Sequence, residues 1–114
     1  MLAVIFEATP IPGRAQRYFD IASELRPELD KIEGFISVER FQSLTRADVF
    51  LSLSYWENDA AVAAWRNQVY HRAGQQEGRE SVFSDYRIRV VSVIRDYSFR
   101  ERADAPVDSN TLLL

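Results

Sequence analysis

The sequence predicts one α+β domain built on an antiparallel sheet. Three observations carry this. Phe35–Gln42 and residues 49–56 each alternate their side chains with the period of two that a strand requires, and a polar turn over residues 44–48 joins them. Phe19, Ala22, Leu25 and Leu29 recur at helical spacing, with Arg14, Arg17, Asp20 and Glu24 off that face. The length of 114 residues, with 46% hydrophobic and 27% charged residues, suits one globular unit with its own core.

Residues 2–8 are apolar and β-prone, and Pro10 and Pro12 close them as strand 1. Pro12-Gly13 opens the first helix, and Pro27 inside it is expected to kink the helix or restart its last turn. Gly34 ends the connection, and strand 2 runs from Phe35 to Gln42. In strand 3, Val49, Leu51, Leu53 and Tyr55 point one way and Phe50, Ser52, Ser54 and Trp56 the other. Asn58 or Asp59 caps a second helix with Ala61, Ala64, Trp65 and Gln68 along one face. Residues 70–83 read as partly helical, because Gly74 and Gly78 each weaken a helix by about 1 kcal/mol relative to Ala. Residues 86–99 read as a long strand 4, and residues 103–114 as a loose tail ending in three leucines. The order β-α-β-β-α-β is the ferredoxin-like split arrangement, with both helices on one face of the sheet. The second face is not polar throughout: strand 3 is expected to offer it Phe50 and Trp56, and strand 4 Val91 and Val93. Such a sheet wants a second layer, and a second copy of the chain supplies it, so a homodimer through the sheet faces is expected.

Composition narrows the function classes. A net charge of −3 and a pI near 5.1 lack the basic footprint of a nucleic-acid partner. The absence of cysteine removes disulfides, thiolate metal sites and a cysteine nucleophile together. The N-terminus has no basic stretch before its apolar run, and no segment approaches the roughly 18 apolar residues of a membrane helix. A cytoplasmic location is the expectation.

Two stretches carry a family resemblance. The first runs from Gly34 through Phe35, Arg40 and Ser43 to Leu51, Tyr55, Trp56 and Glu57. The second takes in residues 60–67, His71-Arg72, residues 75–79, residues 86–90 and residues 95–99. Together they resemble the antibiotic-biosynthesis-monooxygenase domain over about residues 2–100, leaving a domain over residues 1–102 and a tail over residues 103–114. The resemblance implies a dimeric α/β barrel with a pocket between helices and sheet in each subunit. It implies a monooxygenase that brings O₂ to a small aromatic or quinol-type substrate. No flavin, metal or other cofactor is implied, because the substrate anion supplies the electrons, and the protein deprotonates, holds and shields it. A non-catalytic ligand-binding or stress-related dimer of the same fold is the alternative. In the haem-degrading branch, an iron-ligating histidine lies ten residues after the tryptophan; here Gln75 holds that place, and the asparagine that branch carries on strand 1 is missing, with Phe6 and Glu7 in its neighbourhood. Both departures argue against haem breakdown.

His71, the only histidine, is the candidate general base or hydrogen-bond donor; its bland reading is a surface or capping residue. Trp65 either walls an aromatic pocket or fills the core. Phe83, Tyr86 and Tyr70 form an aromatic group near the start of strand 4, where a hydroxyl either meets substrate or is satisfied in packing. Arg40 and Arg89 are candidates to steady a phenolate or carboxylate, whereas Arg87 and Arg95 read as rim residues paired with acids. A lone histidine cannot build a His-rich metal site, so no protein-bound metal is expected.

Overall fold

The computed structural model describes residues 1–70 and 81–112. Its elements are β1 (Leu2–Pro10), α1 (Ala15–Asp30), β2 (Phe35–Gln42), β3 (Phe50–Trp56), α2 (Asp59–Tyr70), β4 (Phe83–Ser92) and a short α3 (Val107–Leu112). The strands form one sheet in the order β2-β3-β1-β4, with every neighbouring pair antiparallel. This is the ferredoxin-like arrangement the element order predicted.

Local chemistry explains the junctions. Arg14 donates its backbone N–H to the Ile11 carbonyl at 2.8 Å, closing a turn with Pro12 and Gly13 at its centre. Gly13 has φ +86°, the conformation a type II turn demands at its third residue. Gly34 has φ +92°, and its carbonyl accepts the Glu57 N–H at 2.7 Å. A Cβ on Gly34 would stand 2.8 Å from the Ala61 Cβ, so only glycine lets β2 start this close to α2. The Asn58 side-chain oxygen accepts the Ala61 N–H at 2.9 Å, which settles Asn58 as the cap of α2.

The helix face of the sheet is set by register. Residues paired across strands share a face, so Leu2, Val4, Phe6 and Ala8 join Phe50, Ser52, Ser54 and Trp56 there. Leu29, Trp56, Ala61 and Val62 form the buried centre, with Leu2, Val4, Ile32, Phe35, Val38 and Trp65 packed against it. Trp56 is 2% exposed, and its indole N–H donates to Ser54 Oγ at 2.9 Å.

Several expectations are corrected. Trp56 and Phe50 belong to the helix face, not the second face; alternation separates two sets of side chains without saying which is inward. Val91 does lie on the open face, where it is joined by Ile5, Leu51, Leu53 and Tyr55 rather than by Phe50 and Trp56. In β2 the pairing skips Ile36, and this bulge puts Phe35 and Val38 on one face despite their odd separation. Helix α1 runs through Pro27 to Asp30 without a restart. Its most buried residue is Tyr18, which the apolar pattern passed over. Ala64 is exposed, and Ala61, Val62 and Trp65 are the inward residues of α2. Strand 4 covers Phe83–Ser92 rather than residues 86–99, because its partner β1 ends the ladder at Leu2, with one further bond from Val93 N–H to the Met1 carbonyl. The tail contains α3, and Asp104 accepts the Asp96 N–H at 2.7 Å ahead of it. No helix among the described residues is long and apolar enough to cross a membrane.

Candidate functional site

A row of aromatic rings occupies the end of the helix face away from Trp56. Phe6 on β1 lies 5.6 Å from Phe83 and 5.7 Å from Tyr86 on β4, centroid to centroid. Tyr18 from α1 stands over Phe83 at 5.1 Å, edge to face. Phe19 extends the row to Phe50 at 5.1 Å. Such contacts add roughly 0.5–1.5 kcal/mol each beyond area burial. A second bulge makes the row possible. The β1–β4 register passes from Thr9–Asp85 to Pro10–Phe83, skipping Ser84, whose hydroxyl donates to the Thr9 carbonyl at 3.0 Å. Phe83 and Tyr86 therefore share a face that strict alternation would deny them.

The polar end of the row is Arg40. Its Nε donates to the Tyr18 hydroxyl at 3.3 Å, and its guanidinium lies 5.6 Å from the centre of the Tyr18 ring. Tyr18 is buried with its hydroxyl satisfied, as a buried phenol requires. Beside Arg40 a groove of about 270 Å³ is lined by Phe19, Ala22, Ser23 and Arg26 of α1.

The open face of the sheet holds a different constellation. Glu7 on β1 accepts from Arg46 at 2.8 Å and lies 3.5 Å from Arg89. Arg46 reaches it from the β2–β3 turn, which the Ser43 hydroxyl organises by accepting the Arg46 N–H at 3.0 Å. The Arg46 hydrogen bond holds the Glu7 carboxyl below its ordinary value of 4.5, against some desolvation in the other direction. Thr9, Asp85, Tyr86 and Arg87 join these three around a polar cavity of about 290 Å³.

The structure thus brings together Phe83, Tyr86 and Arg40 among the residues picked from sequence. Trp65 lies apart, packed on the core beneath α2. Arg89 lies on the opposite face of the sheet, engaged with Glu7. His71, Gln75, Gly74 and Gly78 fall outside the described residues, and Tyr70 ends α2. Phe6, Tyr18 and Phe50 were missed as site residues. Tyr18 falls four residues before Ala22 on the inward face of α1, a signal a polar-tipped residue obscures.

Fold and site define a class: a small α+β domain with an aromatic row and the Arg40 guanidinium between α1 and its sheet. Residues 1–77 match the family model described as antibiotic biosynthesis monooxygenase. The chain belongs to that family. It is 44% identical over 93 residues to the jasmonate monooxygenase ABM of Pyricularia oryzae, a match that covers 82% of this chain and 43% of that protein. It is 33% identical over 72 residues to the uncharacterized protein YqjZ of Bacillus subtilis, covering 62% of this chain and 60% of that one. The chain therefore spans about half the length of the curated relatives it matches. Among solved structures, PA3566 of Pseudomonas aeruginosa has a TM-score of 0.66 at 19% identity, covering 82% of this chain and 93% of the other. Rv0793 of Mycobacterium tuberculosis has a TM-score of 0.68 at 14% identity, covering 85% and 98%. At these identities the two share the fold alone.

Proposed function

We propose that the chain is a cofactor-independent monooxygenase that seats a small aromatic or quinol-type anion along the Phe6–Tyr18–Phe83–Tyr86 row. The observation that carries the proposal is the Arg40–Tyr18 pair at the end of that row. Ring edges and faces supply an apolar wall, and a guanidinium supplies the counter-charge a phenolate needs. A doubly activated ring CH₂ loses a proton, and its carbanion gives electrons to O₂. The carbon–oxygen bond forms, water leaves, and CH₂ plus O₂ has become C=O plus H₂O with no outside reductant. His71 is the proposed base, because it is the one imidazole of the chain and imidazole is the side-chain type suited to proton transfer near neutral pH. Residues 1–102 form the proposed working domain, residues 103–114 its tail, and the open-face residues Ile5, Leu53 and Val91 the proposed interface of a cytoplasmic homodimer.

The named substrate of the Pyricularia relative adds carboxylates to the screen. Hydroxylation of a saturated carbon takes two electrons from outside, so jasmonate is assayed with and without a reductant. The test is O₂ uptake with quinols, anthrones and jasmonate, with His71→Ala and Arg40→Gln beside the unaltered chain. Uptake that both variants lose supports the proposal; no uptake with any substrate refutes it. Two observations favour the second reading, a non-catalytic ligand-binding dimer: Trp65 packs against the core, and Phe83 is wedged among three other rings. Binding without O₂ uptake selects that reading.

A further inference from the structure

We propose that the groove between α1 and β2 is an anion-selective site, and that it takes flat aromatic carboxylates. Phe19, Ala22, Ser23 and Arg26 stand at i, i+3, i+4 and i+7 on α1, so they share one helix face. Arg40 faces them from β2. The apolar part of the lining is Phe19 and Ala22, and the polar part is two guanidiniums and a hydroxyl.

Both guanidiniums lie over aromatic rings, and the one acid contact among the described residues is an exposed pair at Arg26. Arg40 lies over Tyr18 at 5.6 Å and donates only Nε to that residue's hydroxyl, and no carboxylate pairs with it among the described residues. Arg26 lies over Phe35 at 5.2 Å. Its one acid is Asp30, at 3.4 Å on an exposed surface, where an ion pair is worth little. Donors held in place by stacking lose little freedom when an oxyanion arrives, and Arg offers a carboxylate two parallel N–H groups. The groove is open and its volume of about 270 Å³ lies just below the range of enclosed ligand pockets, so it suits one face of a small flat molecule of one or two fused rings. Across the sheet, the cluster around Glu7 is a poorer anion site, because Glu7 holds Arg46 at 2.8 Å and Asp85 adds a second carboxylate to the lining.

The inference rests on the proposed function in one respect, that the groove and the aromatic row serve the same ligand; the binding itself does not depend on turnover. The experiment titrates the whole chain with 1-naphthoate and, separately, with its uncharged methyl ester, followed by amide chemical shifts. Expected are shifts centred on Phe19, Ala22, Ser23 and Arg40 with naphthoate, and an affinity that falls about tenfold or more in Arg40→Gln and in Arg26→Gln, each having lost a charge-assisted bond. Arg26→Gln keeps the measurement decisive if Arg40→Gln disturbs the Tyr18 packing. The ester should bind at least about tenfold more weakly, lacking the charge. Equal binding of acid and ester, shifts centred on Glu7, Arg46 and Arg89, or no saturation at millimolar naphthoate would each overturn the site. Naphthoate binding here without O₂ uptake on any quinol leaves the site standing and removes the oxygenase; uptake on quinols with no carboxylate preference does the reverse.

Discussion

Replacing Gly34 with alanine should destabilise the chain far more than the same change at Gly13, and the difference measures how tightly α2 sits on β2. Both glycines have positive φ, +86° at Gly13 and +92° at Gly34. Forcing an L-residue into such a backbone costs about 1–2 kcal/mol. At Gly13 nothing lies within 4 Å of the added Cβ, so that cost stands alone. At Gly34 the Cβ meets Ala61 Cβ at 2.8 Å, a side chain 3% exposed on a buried helix face. Overpacking of this kind adds about 1–3 kcal/mol, giving about 2–5 kcal/mol in all. The gain from a stiffer unfolded chain is common to both substitutions and cancels in the comparison. At about 4 °C per kcal/mol or more, Gly34→Ala should lower Tm by at least about 8 °C and Gly13→Ala by about 4–8 °C. The assay is thermal unfolding followed by circular dichroism. Adding Ala61→Gly to Gly34→Ala should recover part of the loss, although glycine in a helix itself costs about 1 kcal/mol. Equal Tm changes at the two glycines, or no recovery in the double variant, would refute the close approach.

Other outcomes follow from single contacts. Ser54→Ala strands the buried Trp56 indole N–H, and chemical denaturation should show a loss of about 1–3 kcal/mol. Asn58→Ala removes the cap of α2 and should lose about 1 kcal/mol by the same measurement. The Glu7 carboxyl sits below its ordinary 4.5 when folded, so its contribution is present above that value and fades as pH falls through the lower folded one. Tm of Glu7→Gln should therefore lie below that of the unaltered chain near neutral pH and converge with it in acid. Tyr86→Ala should cut O₂ uptake on quinols and, by losing its ring contacts with Phe6 and Phe83, lower Tm by about 4–12 °C, whereas Tyr86→Phe keeps the ring and should leave Tm nearly unchanged.

Much of this architecture was legible from residue patterns. Phe35–Gln42 is bounded as the alternation indicated, and Pro12-Gly13 and Gly34 mark turns because their backbones need what glycine supplies. Which side of β3 faces the helices was not legible. Leu51, Leu53 and Tyr55 look as inward as Phe50 and Trp56 when both faces are partly apolar, and only pairing with Leu2 and Ala8 resolves it. The bulges at Ile36 and Ser84 are equally silent, since neither site carries a glycine or proline. They matter for the site, because without the Ser84 bulge Phe83 and Tyr86 would not share a ring cluster. Arg40 was legible as a candidate but its partner was not. A tyrosine hydroxyl reached from twenty-two residues away leaves no trace in local spacing.

The proposed reaction brings O₂ to an aromatic anion held by the domain's own side chains. Turnover of a dihydroxyanthrone under ¹⁸O₂, with the product read by mass spectrometry, tests it most directly. Expected are one ¹⁸O atom in the new carbonyl, one O₂ consumed per product, no need for added flavin, metal or reductant, and loss of the reaction in Arg40→Gln. Product formed no faster than in buffer, or carrying oxygen only from water, would contradict it.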